Sequence, residues 1–505
     1  MKVCILSTIF AGAVALMAHG VTSDCKYEQL PAGYDYAPVA RYFNQCLEGQ
    51  IDGNYNPSGD FQSDYVIDLS ESDKTIKRVW EEWKRVNAQF VKDGKETTLS
   101  YEIPKLTSNT AFSYDIPVSL EPYVYEPYDP EKFTDKNGNN ITDHTMMQYT
   151  LGYKVETTEP QPLLIFMHGS GEAKREWMVL KYIANMVDSF PSVYIVPRIP
   201  NGEGNYYRWY QKSKQWVWEK MIRQAMLRDD IDHDRIYFLG ISEGAYGSQR
   251  LGSFYADYLG GVGPLAGGEP LVNAPCENLR NTYFNICTGS LDTTFGRCTL
   301  SAYAGEYLDR LQNDDPDGKN AYVHDVRIIS DADHSLGRGA YYTTTPPALV
   351  EHSRVTNPKH VRWENFPMDG RYRNGFHNIR VMQRSESSDD GESRTYYTMD
   401  IDGNNIDMTV SVVKSETISQ TYDDVPFHIH KSYTPATTGR FKVYLNNNLV
   451  DLSKEVTLNV NGQELFRGML QPNLTDMVNS CADFYDSSRV FPVSIEVNLE
   501  KVRGA

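Results

Sequence analysis

Gly240-Ile241-Ser242-Glu243-Gly244 decides how the rest of this chain is read. Directly before it, Arg235-Ile236-Tyr237-Phe238-Leu239 is a short apolar run rich in β-branched and aromatic residues, the pattern of a buried strand. After it, Tyr246, Leu251, Phe254, Tyr255 and Tyr258 recur at helical spacing within Ala245 to Tyr258. The pentapeptide therefore sits on a strand–turn–helix junction. A serine hydroxyl is a poor nucleophile until a base removes its proton. A sharp turn lifts the serine off the sheet, and flanking glycines remove the Cβ atoms that would collide there. The next backbone N–H, on Glu243, then opens a helix and can meet negative charge developing on an oxygen.

Working outward, the chain from about residue 150 alternates apolar runs with helical periodicity. Leu163–Met167, Ser192–Val196, Arg235–Leu239, Val262–Ala266, Tyr283–Cys287 and Val323–Ile329 read as buried strands. Glu176–Val187, Lys214–Leu227, Ala245–Tyr258 and Thr299–Leu311 read as the helices between most of them. That rhythm predicts an α/β fold, a mostly parallel sheet flanked by helices. Ligands bind such sheets beyond the carboxyl ends of the strands. The residues that follow each strand are therefore where chemistry is expected.

After the first strand comes His168-Gly169-Ser170-Gly171-Glu172, whose small residues leave backbone N–H groups free to face a ligand. Ser170 or Gly171 is expected to give a second oxyanion donor beside Glu243. His168 reads as a structural loop residue. After the fifth strand comes Thr288-Gly289-Ser290-Leu291-Asp292, and after the sixth Asp331-Ala332-Asp333-His334-Ser335. The order Ser242, Asp292, His334 is the chain order of an α/β-hydrolase triad. In that scheme Ser242 attacks a carbonyl and His334 carries the proton. Asp292 holds the imidazole in its working tautomer. Asp331 and Asp333 compete for the acid role, but lie too near His334 in sequence to reach its Nδ1 easily. Activity is expected to rise with pH as His334 loses its proton.

The chain has 505 residues, 40% of them hydrophobic, and a formal net charge of −18. That charge argues against nucleic acid and anionic membrane as partners, since both select clustered Lys and Arg. Residues 1–23 read as a signal peptide: Lys2, an apolar run from Val3 to Met17, then small residues at Ala18-His19-Gly20 or Val21-Thr22-Ser23. The run is too short for a membrane span, and no other stretch is long and apolar enough. Asp24 before Cys25 fits a lipidation signal poorly. Export to the periplasm or outside follows as an expectation. The six cysteines beyond the leader then suggest disulfides, with Cys25–Cys46 and Cys276–Cys298 as the near pairs. No metal and no cofactor are expected, because no His/Cys cluster has zinc spacing.

Residues 24–145 read as an N-terminal extension with the first strands. It holds one clear amphipathic helix (Ile76, Val79, Trp80, Trp83, Val86, Phe90), strands around Phe112–Leu120 and a polar loop over 127–145. Asn140-Ile141-Thr142 and Asn473-Leu474-Thr475 fit the glycosylation pattern, which has meaning only in a eukaryotic source. Residues 146–354 form the α/β core. Residues 355–505 read as a β-rich module with turns at Asp402-Gly403-Asn404-Asn405 and Asn461-Gly462, and a short helix from Leu474 to Phe484. That module either caps the core or binds carbohydrate.

The stretch from Met167 to Trp363 resembles a secreted bacterial α/β-hydrolase esterase family that acts on plant polysaccharide esters. The resemblance is carried by Phe166-Met167-His168-Gly169-Ser170-Gly171-Glu172, by Tyr206-Tyr207-Arg208-Trp209-Tyr210, and by Gly240 to Gly247. Asn357-Pro358-Lys359-His360-Val361-Arg362-Trp363 completes it. It implies an α/β-hydrolase fold and an ester-hydrolase class, with acetyl, feruloyl and pectin methyl esters all represented among related sequences. Glu243 departs from the uncharged residue that many hydrolases carry after the serine.

Four arginines return to the ligand side: Arg198 after the second core strand, Arg208 among Tyr206, Tyr207, Trp209 and Tyr210, Arg297 after the acid loop, and Arg338 after His334. Arginine forks bind carboxylates and aromatic faces stack on sugars. A basic cleft with an aromatic floor of Trp209 and Tyr210 is therefore expected, suited to a methyl-esterified polyuronate. The alternatives are an acetyl or feruloyl xylan esterase, a peptidase on the same fold, and a non-catalytic glycan-binding protein on a hydrolase scaffold.

Overall fold

The computed structural model describes residues 27–51, 59–95, 114–117, 146–155, 157–187, 190–199, 208–336, 340–385, 394–420 and 425–502. The leader, Cys25, the loop at 127–145, Asn140, Tyr206, Tyr207 and Arg338 lie outside these residues.

Eight strands form the central sheet: β1 (Tyr114–Pro117), β2 (Met146–Tyr153), β3 (Gln161–Met167), β4 (Val193–Pro197), β5 (Ile231–Ile241), β6 (Gly261–Leu265), β7 (Tyr283–Gly289) and β8 (His324–Ile329). Their spatial order is 1-2-4-3-5-6-7-8. β1 and β2 pair antiparallel, as do β2 and β4. Every pairing from β4 through β3, β5, β6 and β7 to β8 is parallel. This is the α/β-hydrolase fold. The strand runs read from sequence all appear; those covered on both faces are largely apolar along their length, while β8, at the edge of the sheet, is only half-buried. β3, β4, β6 and β7 are buried at every residue.

Helices α1 (Ala37–Ile51) and α2 (Ser72–Lys92) precede the sheet. Then come α3 (Ala173–Met186), α4 (Lys212–Met226), α5 (Glu243–Phe254), α6 (Arg297–Asp314) and α7 (Ala340–Val350). α7 was not expected, because Pro346 and Pro347 lie inside it and proline ordinarily breaks helices. α1 was missed as well.

The remaining elements are β9 (His360–Asn365), β10 (Gly375–Phe376), β11 (Ile379–Gln383), β12 (Arg394–Asp402), β13 (Asn405–Gln420), β14 (Pro426–Pro435), β15 (Arg440–Leu445), β16 (Val456–Val460), β17 (Gln463–Gly468), α8 (Leu474–Phe484) and β18 (Val493–Asn498). They make one six-stranded and one four-stranded sheet. The hairpin at Asp402↔Asn405 and the β16–β17 hairpin at Asn461-Gly462 both form.

This β-rich part shares a continuous apolar core with the central sheet and with α1 and α2. Buried ion pairs cross the seam. Asp257, just after α5, accepts from Arg373 and Arg489, and Arg354 bridges Asp234 at 2.9 Å and Asp486 at 2.7 Å. Tyr258 and Tyr485 stack with ring centroids 5.2 Å apart. On the N-terminal side, the Asn479 amide of α8 bonds the Tyr42 hydroxyl and both backbone groups of Phe61.

The expected disulfides are corrected where they can be seen. Cys276 and Cys298 are both free thiols, as is Cys46. Cys276 is buried beside the Glu277–Lys431–Glu364 ion cluster, whereas Cys298 follows the acid loop.

Candidate active site

Ser242 stands between the end of β5 and the start of α5 with φ 56° and ψ −113°. That backbone conformation is unfavourable for a residue with a Cβ, by about 1–3 kcal/mol, and persists only where neighbours enforce it. Here the Ser242 N–H donates to the Leu265 carbonyl at 2.9 Å. Its own carbonyl accepts from Ala245 and Tyr246 at 2.9 and 3.2 Å. The two flanking glycines let the turn close. A Cβ on Gly244 would lie 2.1 Å from the Met167 carbonyl oxygen, so α5 can pack on β3 only through a bare Cα.

The loops after β7 and β8 are stitched together. Ser290 N–H donates to the Ile329 carbonyl at 2.8 Å, Leu291 N–H to the Ala332 carbonyl at 2.9 Å, and Asp331 N–H to Ser290 Oγ at 2.9 Å. A Cβ on Gly289 would sit 2.3 Å from the Ala332 oxygen, so that close approach also requires glycine. Leu336 is fully buried against Leu265, Ala266 and Cys287, which anchors the segment carrying His334. These contacts bring three distant residues into line. His334 Nε2 lies 2.9 Å from Ser242 Oγ, and His334 Nδ1 lies 2.7 Å from Asp292 Oδ2. With Nδ1–H donating to the carboxylate, Nε2 is left to accept the serine proton. Asp333 instead accepts from the N–H and hydroxyl of Ser335, and stays on the surface.

The loop after β3 closes over the serine from the other side. A Cβ on Gly169 would be 3.3 Å from Ser242 Cβ. Ser170 and Gly171 follow it and are exposed. Glu172 caps α3 by accepting from Lys174 and Arg175 N–H groups. His168 is buried, with Nδ1 2.8 Å from the Gly169 carbonyl and Nε2 accepting from Ile199 N–H at 3.1 Å. Burial pushes its pKa down to about 4, with the nearby Arg198 charge adding to the effect, so the ring is neutral and holds the loop. The Glu243 carboxylate has a structural partner: it accepts the Arg208 N–H at 2.9 Å, and burial raises its pKa.

The expected aromatic, basic cleft is corrected at three of its residues. Trp209 is wholly buried, its Nε1–H donating to the His168 carbonyl at 3.0 Å, so it supports the loop after β3 from below. Tyr210 is 9% exposed, covered by the Arg250 guanidinium 3.8 Å above its ring. Arg297 is turned inward. Its Nη1 donates to Asp292 Oδ1 at 2.9 Å and its Nε to the Tyr246 hydroxyl at 2.6 Å. Arg198 and Arg208 are half-buried at the loop ends. The large exposed side chains of the acid loop are apolar, Leu291 and Phe295. Arg250, gripped by both oxygens of Glu269 at 2.7 and 2.9 Å, was not singled out from sequence; nothing in its helical position marks it.

No protein-family model matches the chain, and no curated protein matches it. Among solved structures it is similar to a thermostable esterase at 16% identity, over 48% of this chain and 63% of that one, with a TM-score of 0.34. It is similar to an S-formylglutathione hydrolase from Agrobacterium tumefaciens at 13% identity, over 50% and 99% of the two chains, TM-score 0.33. A third is the feruloyl esterase module of Clostridium thermocellum complexed with sinapinate, at 14% identity, over 50% and 94%, TM-score 0.28.

Proposed function

We propose that this chain is a serine carboxylic-ester hydrolase. The observation that carries the reading is the hydrogen-bonded line from Ser242 Oγ through His334 to Asp292, set on a strained turn at the carboxyl edge of the sheet. Ser242 Oγ attacks the ester carbonyl while His334 Nε2 takes its proton. The oxyanion is met by the Glu243 N–H and by Ser170 or Gly171 N–H. His334 then protonates the leaving alcohol, and water repeats the cycle on the acyl-serine.

The export expected from residues 1–23 and the resemblance point to an extracytoplasmic polysaccharide ester as substrate. With Arg297 and Trp209 turned into the protein, the case for a uronate methyl ester rests on Arg198, Arg208 and Arg338, the last outside the described residues. Product analysis decides among the three esters: methanol from methyl-esterified pectin, acetate from acetylated xylan, or ferulate from feruloylated xylan. The ester-hydrolase reading itself is tested with p-nitrophenyl acetate and with fluorophosphonate labelling. Turnover and label on Ser242, both lost in Ser242→Ala, are the expected result. A chain that neither turns over esters nor takes the label is a binding protein on this scaffold.

A further inference from the structure

We infer that Arg297 is a positioning residue for the hydrolysis proposed above, holding Asp292 in register with His334. The inference rests on the serine-esterase reading. Asp292 is 3% exposed, and a buried carboxylate needs both oxygens engaged. One oxygen faces His334 Nδ1 at 2.7 Å and the other takes the Arg297 Nη1–H at 2.9 Å. Arg297 is itself mostly buried, so the interaction is poorly screened by solvent.

The second contact of Arg297 makes it more than a counterion. Its Nε–H donates to the hydroxyl of Tyr246, which lies one helical turn beyond Ser242 on α5. Arg297 opens α6. One side chain thus joins the acid loop to the helix that begins at the nucleophile. Small shifts of the acid relative to that helix would open the Ser242–His334 hydrogen bond, and sub-ångström errors there are costly in rate.

The test is steady-state kcat and KM on p-nitrophenyl acetate for wild type, Arg297→Met, Arg297→Lys and Tyr246→Phe. Arg297→Met should lower kcat roughly tenfold to a hundredfold with little change in KM. Arg297→Lys keeps the charge but loses the fork, so kcat should stay depressed there. Tyr246→Phe should lower kcat modestly, again with KM near wild type. A wild-type kcat in Arg297→Met would overturn the proposal, and so would a loss carried by KM rather than kcat. Should Arg297→Met not fold, Arg297→Lys decides, since wild-type kcat there overturns the positioning role. Retention of activity in Ser242→Ala is a separate outcome, which removes the esterase reading instead.

Discussion

Gly240 and Gly244 lie against each other across the turn that carries Ser242: a methyl group on Gly240 would come within 2.1 Å of the Gly244 carbonyl oxygen. Both contacts are with backbone, which cannot rotate away. Gly240→Ala and Gly244→Ala should each destabilise the protein by about 2–4 kcal/mol and abolish the turn geometry. Gly403→Ala is the control. Gly403 also has a positive φ, but nothing lies within 4 Å of its would-be Cβ, so only about 1 kcal/mol of backbone strain is expected. Urea denaturation midpoints measure the difference, and equal losses at all three sites would contradict it.

Ser242→Ala should reduce ester turnover by about 10⁴-fold or more while leaving the urea midpoint near wild type. Asp292→Asn should cost roughly 10³–10⁴-fold, because the amide cannot hold the imidazole in the same tautomer. Asp333→Asn should stay within about threefold of wild type, since that carboxylate bonds Ser335 at the surface. Steady-state kinetics on a small ester read all three. A larger loss at Asp333 than at Asp292 would reassign the acid.

Glu243 offers a test of what its carboxylate does beside the oxyanion site. It accepts the Arg208 N–H, which an amide oxygen can also do. Glu243→Gln should therefore keep stability and hold kcat within about threefold. Glu243→Ala leaves that N–H without its acceptor and should lose about 1–3 kcal/mol. A large loss of kcat in the Gln variant with normal stability would give the charge itself a catalytic task.

Asp257 predicts an acid limb in stability. Burial alone would raise its pKa, but Arg373 and Arg489 overcome that and hold it down at about 2. The unfolded carboxyl binds its proton near 3.8. Between those values the unfolded state carries more protons, so stability falls as pH falls. The contribution is fully present above pH 4 and amounts to about 2 kcal/mol. Urea melts between pH 5 and pH 2 should show the wild-type advantage over Asp257→Asn shrinking by about that amount. A constant gap would mean that the pair is not titrating.

The amino-acid order by itself determined the strands, the turn and the chain order of Ser242, Asp292 and His334. Leu163–Met167, Val262–Ala266 and Tyr283–Cys287 are runs buried along their whole length, whereas Val323–Ile329 is an edge strand, half-buried, that carries His324, Asp325 and Arg327. The turn at Ser242 announces itself because only glycine fits beside it. The hairpin at Asn461-Gly462 and the helix Leu474–Phe484 were legible for the same reason: turn chemistry and helical periodicity are properties of a few neighbouring residues.

Tertiary structure decided where side chains point. A residue just beyond a strand end lies on the ligand side of the sheet, but it can face solvent or fold back. Trp209 folds back onto the His168 carbonyl, Tyr210 lies under Arg250, and Arg297 reaches Asp292 and Tyr246, 51 positions away in the chain. α7 was hidden by Pro346 and Pro347; chain order named Asp292 as the partner of His334, and the stitched loops after β7 and β8 bring the two within 2.7 Å across 42 positions. The physical reason is common to these cases. Propensity and periodicity act within one element, whereas the orientation of a polar side chain is set by whichever partner spares it from being buried alone, and that partner comes from another part of the chain.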